Sequence, residues 1–178
     1  MADVRPTGAE RTFTANEIIV TKTDVQGRIT YANEVFCRMS AMAESDVLGQ
    51  PHSVIRHPEM PRGVFRLMWD RLQAREEIFA YVVNLAADGA HYWVFAHVTP
   101  TTDSTGRVVG YHSNRRSPDR TAVGAVQPVY RAMLAEEKAH SRAIDAATAG
   151  YRHLESTLAG IGMTYDEYVW SLTAEVAA

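Results

Sequence analysis

Arg56 and His57 stand side by side between Ile55 and Pro58, two side chains able to carry positive charge at one point of the chain. An arginine fork suits phosphate or carboxylate oxygens, and a histidine beside it adds a donor. Asn84 lies in the apolar run Tyr81-Val82-Val83-Asn84-Leu85, where a buried amide must find partners. A side-chain amide both donates and accepts, so Asn84, and Asn33 with it, could read the polar edge of a heterocycle. Phe65, Trp69, Val94 and Ala96 offer apolar or aromatic surface for a ring. Each of these residues also has a plainer reading. Arg56 could cap or pair within a loop, His57 could hold the turn before Pro58, and Asn33 could be an N-cap. Trp69 could be core, as could the single cysteine, Cys37.

Reaction chemistry is harder to find. The chain has no Walker phosphate loop, G-x-S-x-G elbow, CxxC pair, HExxH or C-x-x-C-H. No nucleophile and base stand together, so the expectation is a protein that is not an enzyme. His91 and His97 share a strand face but sit roughly 20 Å apart, too far to hold one metal. Among 178 residues, 18 Lys plus Arg against 21 Asp plus Glu leave a net charge of -3, with no basic footprint for nucleic acid. No run approaches the ~18–20 apolar residues of a membrane span. Residues 1–16 are polar and lack a signal-peptide core. One cysteine fits a reducing compartment. The expectation is a cytoplasmic protein with no membrane insertion.

The elements that would position these side chains fall into an N-terminal cap segment (1–16), a strand-rich domain (17–117) and a helical extension (118–178). Glu17–Asp24 and Arg28–Ala32 read as a hairpin turning at Gly27. Asn33 caps a short helix over 34–39, and 44–48 forms another turn closed by Gly49. Pro61 suits the first position of a helix carrying Val64, Phe65, Met68, Trp69 and Leu72 as one stripe. Three strands follow over 78–86, 91–101 and 107–115, joined at Asp88-Gly89 and at 103–106. This is an α+β arrangement with helices on one face of an antiparallel sheet.

In the extension, Pro128 suits a helix start. From there Tyr130, Met133, Glu137, His140, Ile144, Ala147, Tyr151, Leu154, Leu158 and Ile161 follow a heptad seam. Either this helix folds back on the sheet, or the seam dimerises or docks a partner. Thr164 and Glu167 form a capping box for a last helix.

Several segments together carry a family resemblance: Gly49-Gln50-Pro51-His52, then Ile55-Arg56-His57-Pro58-Glu59-Met60-Pro61, then Phe65 and Trp69, then His91-Tyr92-Trp93-Val94 and Pro100. Taken with Thr23-Asp24 and Ile29-Thr30-Tyr31-Ala32-Asn33, they resemble the PAS sensory domain of Aer-type aerotaxis transducers over about residues 17–117. The resemblance implies a PAS fold, a five-stranded antiparallel sheet in the order 2-1-5-4-3 with short helices forming a pocket on one face, followed here by C-terminal helices. It implies non-covalent FAD in that pocket, reporting redox or oxygen state. The candidate cofactor-binding residues are Asn33, His52, Arg56, His57, Phe65, Trp69, Asn84, Val94 and His112.

The chain departs from the family pattern at Glu59, where Asp is usual, at Ile78, where Trp is usual, and at His112, where Met is usual. It departs again along Val83–Gly89, where Asn84 is kept but the basic residues around it are not. His52 stands where the related LOV domains carry an adduct-forming cysteine, so adduct photochemistry is not implied. LOV domains also imply that the Val94 face of its strand looks into the pocket. The opposite face, with Trp93 and Phe95, then suits docking by the C-terminal helix or a second protomer. Haem, held by His52, His57 or His112, is one alternative. A cofactor-free interaction module is the other. With no membrane anchor and no methyl-accepting hairpin in this sequence, the expectation is a homodimer acting in trans on a chemoreceptor or histidine kinase.

Overall fold

The computed structural model describes residues 4–174. Strands β1 (Ile19–Thr23) and β2 (Ile29–Ala32) form the hairpin, with Gly27 in the left-handed region at the turn. A run of short elements follows: α1 (Glu34–Ser40), α2 (Glu44–Val47), a 3-10 turn (His52–Ile55) and α3 (Arg62–Gln73). Then come β3 (Ile78–Leu85), β4 (His91–Thr102) and β5 (Val108–Arg116). The chain finishes with α4 (Arg120–Lys138), α5 (Ala143–Gly160) and α6 (Tyr165–Ala174). The five strands pair antiparallel in the order β2-β1-β5-β4-β3. Residues 7–11 run alongside the start of β4, with Thr7, Ala9 and Arg11 sharing backbone hydrogen bonds with Gly89 and His91.

Strand alternation divides the sheet into two faces. On the inner face, Ala80, Ala96, Arg115 and Ile19 form one row, and Ile78, Val98, Ser113 and Thr21 form the next. Val82 and Val94 pair on that face, as do Asn84 and Tyr92. The short helices and α3 cover it. On the outer face Val83 faces Trp93, Tyr81 faces Phe95 and Phe79 faces His97. Strands this apolar on both sides need cover on both sides.

The C-terminal helices supply the second cover. Tyr130 of α4 stacks on Trp93, and Trp170 of α6 packs on Phe79 and Phe95. Two hydroxyls tie these helices to strand backbone. Tyr130 Oη donates to the Tyr81 carbonyl at 2.6 Å, and Tyr165 Oη donates to the Phe79 carbonyl at 2.9 Å.

Three expectations are corrected. Pro61 is the N-cap of α3 rather than its first helical residue. Pro128 lies inside α4, which starts eight residues earlier behind Asp119, whose carboxylate accepts from the Thr121 and Ala122 amides. An internal proline costs about 3 kcal/mol, and burial of Val123, Val126 and Tyr130 on one side of α4 offsets it.

The heptad seam is not one helix. The chain turns at residues 139–142, and α5 packs back against α4 and α3. Tyr130, Met133, Leu154 and Leu158 are buried within the chain, whereas Ile144 is 61% exposed. Two amphipathic helices facing one core repeat the same 3-4 spacing as a single coiled-coil strand. The dimer expected from this seam is therefore left without the continuous helix it needed.

Candidate functional site

Between the inner face and α3 lies a cavity of about 330 Å³, at the lower end of the range for small-molecule sites. The strands contribute Thr21, Thr23, Val82, Asn84, Ala96 and Val98, with Tyr111, Ser113 and Arg115 from β5. Helix α3 contributes Phe65, Met68, Trp69 and Leu72, at i, i+3, i+4 and i+7 along one stripe. The loop and 3-10 turn before α3 close one side with His52, Ile55 and Arg56, and exposed Gln26, Pro51 and Ser53 form part of the rim. Trp69 meets Tyr111 edge-on at 5.3 Å between ring centroids. The Arg56 guanidinium lies over the Phe65 ring at 4.6 Å and donates to the Met60 carbonyl.

The polar atoms are unevenly satisfied. Four buried polar atoms have no hydrogen-bond partner among the described residues: Asn84 Nδ2, Ser113 Oγ and Arg115 Nη1, whose residues line the cavity, and Tyr92 Oη, whose residue does not. Buried polar groups normally carry partners, so three orphans around one cavity point to groups a ligand supplies. Arg115 Nη2 donates to Thr21 Oγ1 at 2.9 Å and contacts His52 Nε2 at 2.5 Å. A guanidinium has no acceptor, so Nε2 must be the acceptor and His52 must be neutral, with its proton on Nδ1. Burial, with Arg115 beside it, pushes the His52 pKa down to about 3. Burial also lowers the Arg115 pKa to about 10 and lowers that of Arg56.

Of the residues singled out from the sequence, His52, Arg56, Phe65, Trp69, Asn84 and Ala96 meet at this cavity. Four do not line it. Asn33 is consumed by structure: its Oδ1 accepts from the Phe36 and Val20 amides and its Nδ2 donates to the Ile18 carbonyl. His57 Nδ1 accepts from the Glu59 amide and holds the turn, and burial lowers its pKa. Val94 is on the inner face but fully buried behind the cavity wall. His112 points the other way. It pairs with Lys22 and Thr99, one residue out of step with the inner row, and its ring bonds Asn114 on the outer face.

Sequence reasoning missed Arg115, Ser113, Thr21, Met68 and Tyr111. The signal for the β5 residues was available. Once the Val94 face is inner, antiparallel register carries the face assignment to Tyr111, Ser113 and Arg115. The departure along Val83–Gly89 also takes its meaning from the faces. Val83 and Leu85 are buried on the outer side, so basic residues at those two positions would sit away from the cavity.

One further polar site joins the cavity helix to the extension. The N-cap of α3 is Pro61, with no side chain to cap it. The Glu137 carboxylate, 6% exposed on α4, accepts instead from the Arg62 amide at 2.9 Å and the Gly63 amide at 2.8 Å. A carboxylate suits a helix N-terminus, where amides are unpaired and the dipole is positive. The approach is close enough to require glycine twice. A Cβ at Gly63 would lie 2.5 Å from the Tyr151 amide nitrogen, and one at Gly150 would lie 2.3 Å from Glu137 Oε1.

Comparison with known proteins bears on this geometry. A family model described as PAS fold matches residues 16–113. The chain is 37% identical over 117 residues to the aerotaxis receptor of Escherichia coli, covering 66% of this chain and 23% of that protein. It is 29% identical over 99 residues to a nitrogen fixation regulatory protein of Klebsiella pneumoniae, covering 56% of this chain and 20% of the relative. The chain thus spans a quarter or less of the length of these relatives. Among solved structures, the dark-state LOV domain of the blue-light photoreceptor Aureochrome1 aligns with a TM-score of 0.56 at 19% identity, covering 64% of this chain and 85% of that one. A second, titled as a flavin-analogue study of the light-oxygen-voltage domain mechanism, aligns with a TM-score of 0.55 at 20% identity, covering 65% and 86%. Among the described residues no helix is long and apolar enough to cross a membrane.

Proposed function

The chain belongs to the PAS-fold family, and from that premise we propose that its cavity holds non-covalent FAD and that the domain reports the redox state of this cofactor to a signalling partner. The observation that carries this reading is the set of unpartnered polar atoms on Asn84, Ser113 and Arg115 around one mostly apolar cavity. A bound flavin supplies reversible two-electron chemistry at an aromatic ring with a polar edge. The chain's own residues fit such a group. Phe65, Met68, Trp69, Val82 and Val98 give the ring apolar surface, while Asn84 Nδ2 and Ser113 Oγ lack the acceptors that a ring edge carries. Arg56, half-buried at the cavity, is the cation suited to a diphosphate. The relatives' names support the class of role, a receptor for aerotaxis and a regulator, and a fold neighbour's title names a flavin.

The haem alternative has little to rest on. Only His52 of the three histidines considered lines the cavity, and its Nε2 is engaged by Arg115. The output route we propose is α3 itself. Its cavity-lining stripe and its N-terminus are parts of one rigid rod, so a shift at Phe65 or Trp69 is felt at Glu137 and in the packing of α4 and α5. A partner of the chemotaxis class, a chemoreceptor or a histidine kinase, would read that change.

The test is the absorption spectrum of the freshly purified chain, followed by denaturation and identification of any released chromophore. A flavin spectrum that bleaches on reduction, with FAD released, is the expected result. A Soret band would make the protein a haem sensor. A colourless protein that takes up no added FAD would sink the flavin reading and leave an interaction module.

A further inference from the structure

Arg115 is 5% exposed and carries a charge that no described residue answers. Among the described residues, no ion pair includes it. Its contacts are neutral: the Thr21 hydroxyl, the His52 ring as acceptor, and the face of Phe36 at 6.0 Å. Nη1 has no partner, and neither does the hydroxyl of Ser113 one row along the same face. A buried charge without a counter-ion destabilises a fold unless something else answers it. His52 cannot share the load by protonating, because two cations would then touch. The β5 side of the cavity wall, away from Arg56, is therefore held at one positive charge, with a spare donor on the group that bears it.

We infer that Arg115 is the charge-selecting residue of the cavity, making it bind the reduced, negatively charged form of a flavin more tightly than the oxidised, neutral form. This rests on the flavin reading above and adds a direction to it. Reduction adds two electrons and one proton to the ring and leaves a net charge of -1. The electrons come from an external donor, dithionite in the test below. An anion near a buried guanidinium is strongly favoured in a low-dielectric site. Hydrogen bonds from Asn84 and Ser113 serve a ring edge in either state, whereas a full charge discriminates between states. By mass action, tighter binding of the reduced form raises the potential of the bound cofactor above that of the free one.

The experiment uses the full chain stripped of chromophore. Oxidised FAD and dithionite-reduced FAD are titrated separately under anaerobic conditions, and the ratio of the two Kd values is compared across variants. Arg115→Met is expected to shift that ratio at least tenfold towards the oxidised form, about 30 mV for a two-electron couple. Arg115→Lys keeps the charge and is expected to hold the ratio within threefold. Asn84→Leu is expected to weaken both forms by the same factor.

The apoprotein provides the control for folding. Arg115→Met removes an unanswered buried charge, so its apo form is expected to unfold at no lower temperature than the wild-type apo form. A lower unfolding temperature for Arg115→Met, or an unchanged ratio with FAD bound, overturns the inference and makes Arg115 a structural residue. Failure of the wild-type chain to bind either form overturns the flavin reading itself, and this inference with it.

Discussion

The two faces of the sheet are built from the same strands and treated in opposite ways. The outer face is packed and satisfied: Trp93, Phe95 and Phe79 pack against Tyr130 and Trp170, and both tyrosine hydroxyls that reach the strands find carbonyls. The inner face keeps a cavity and leaves Asn84, Ser113 and Arg115 with unmet polar atoms around it, and Tyr92 with an unmet hydroxyl away from it. One face spends its polar groups on holding the fold together, and the other withholds them. A sheet that stabilises itself on one side can carry an unsatisfied site on the other, because the packed side offsets what the cavity side leaves unpaired.

The largest test of that contrast is Trp93→Ala on the packed side. Loss of a buried indole stacked on Tyr130 should destabilise the apoprotein by about 3–5 kcal/mol in chemical denaturation. A loss under 1 kcal/mol would mean that the helical cover contributes little. Next comes Glu137→Gln, which sits between the faces and leaves one α3 amide without its charged acceptor. It should cost about 1.5–3 kcal/mol. It should also loosen α5 relative to the sheet, seen as faster amide exchange in residues 143–160 with the sheet amides unchanged.

The third test is pH. His52 is neutral in the fold, with a pKa near 3, and protonates near 6.5 when unfolded. Between those values the unfolded chain binds the extra proton, so stability falls as pH drops from 6.5 towards 3, by up to about 1.4 kcal/mol per pH unit from this group. His52→Gln should lose that portion of the slope between pH 6.5 and 4.5, and an unchanged slope would disprove the assignment. The smallest expected effect is Asn84→Leu on the apoprotein. Its Nδ2 has no partner to lose, so stability should change by less than about 1 kcal/mol. A larger loss would mean that Asn84 serves the fold rather than the cavity.

The sheet was legible because alternation and turn chemistry are local. Asp88-Gly89 and Gly27 marked reversals, and the strands fell within a residue or two of their positions. The stripe Phe65, Met68, Trp69 and Leu72 was legible for the same reason, as a helical period of i, i+3, i+4 and i+7. His112 was misplaced because a single residue of register decides which face a side chain takes, and periodicity along one strand does not say which of its faces is inner. The heptad reading failed at residues 139–142 because spacing alone does not distinguish a straight seam from a helix that doubles back.

The sequence by itself determined the family, the strand and helix pattern, and the segment from Gly49 to Pro61 that closes the cavity. Those features depend on nearest neighbours and short periods, which a linear chain displays directly. Only the tertiary structure decided that Arg115 is buried with no counter-ion among the described residues, that His52 is its neutral acceptor, and that Glu137 caps a helix more than seventy residues away. Each of these depends on which distant groups exclude water from the same point, and burial of that kind has no signature in the order of residues along the chain.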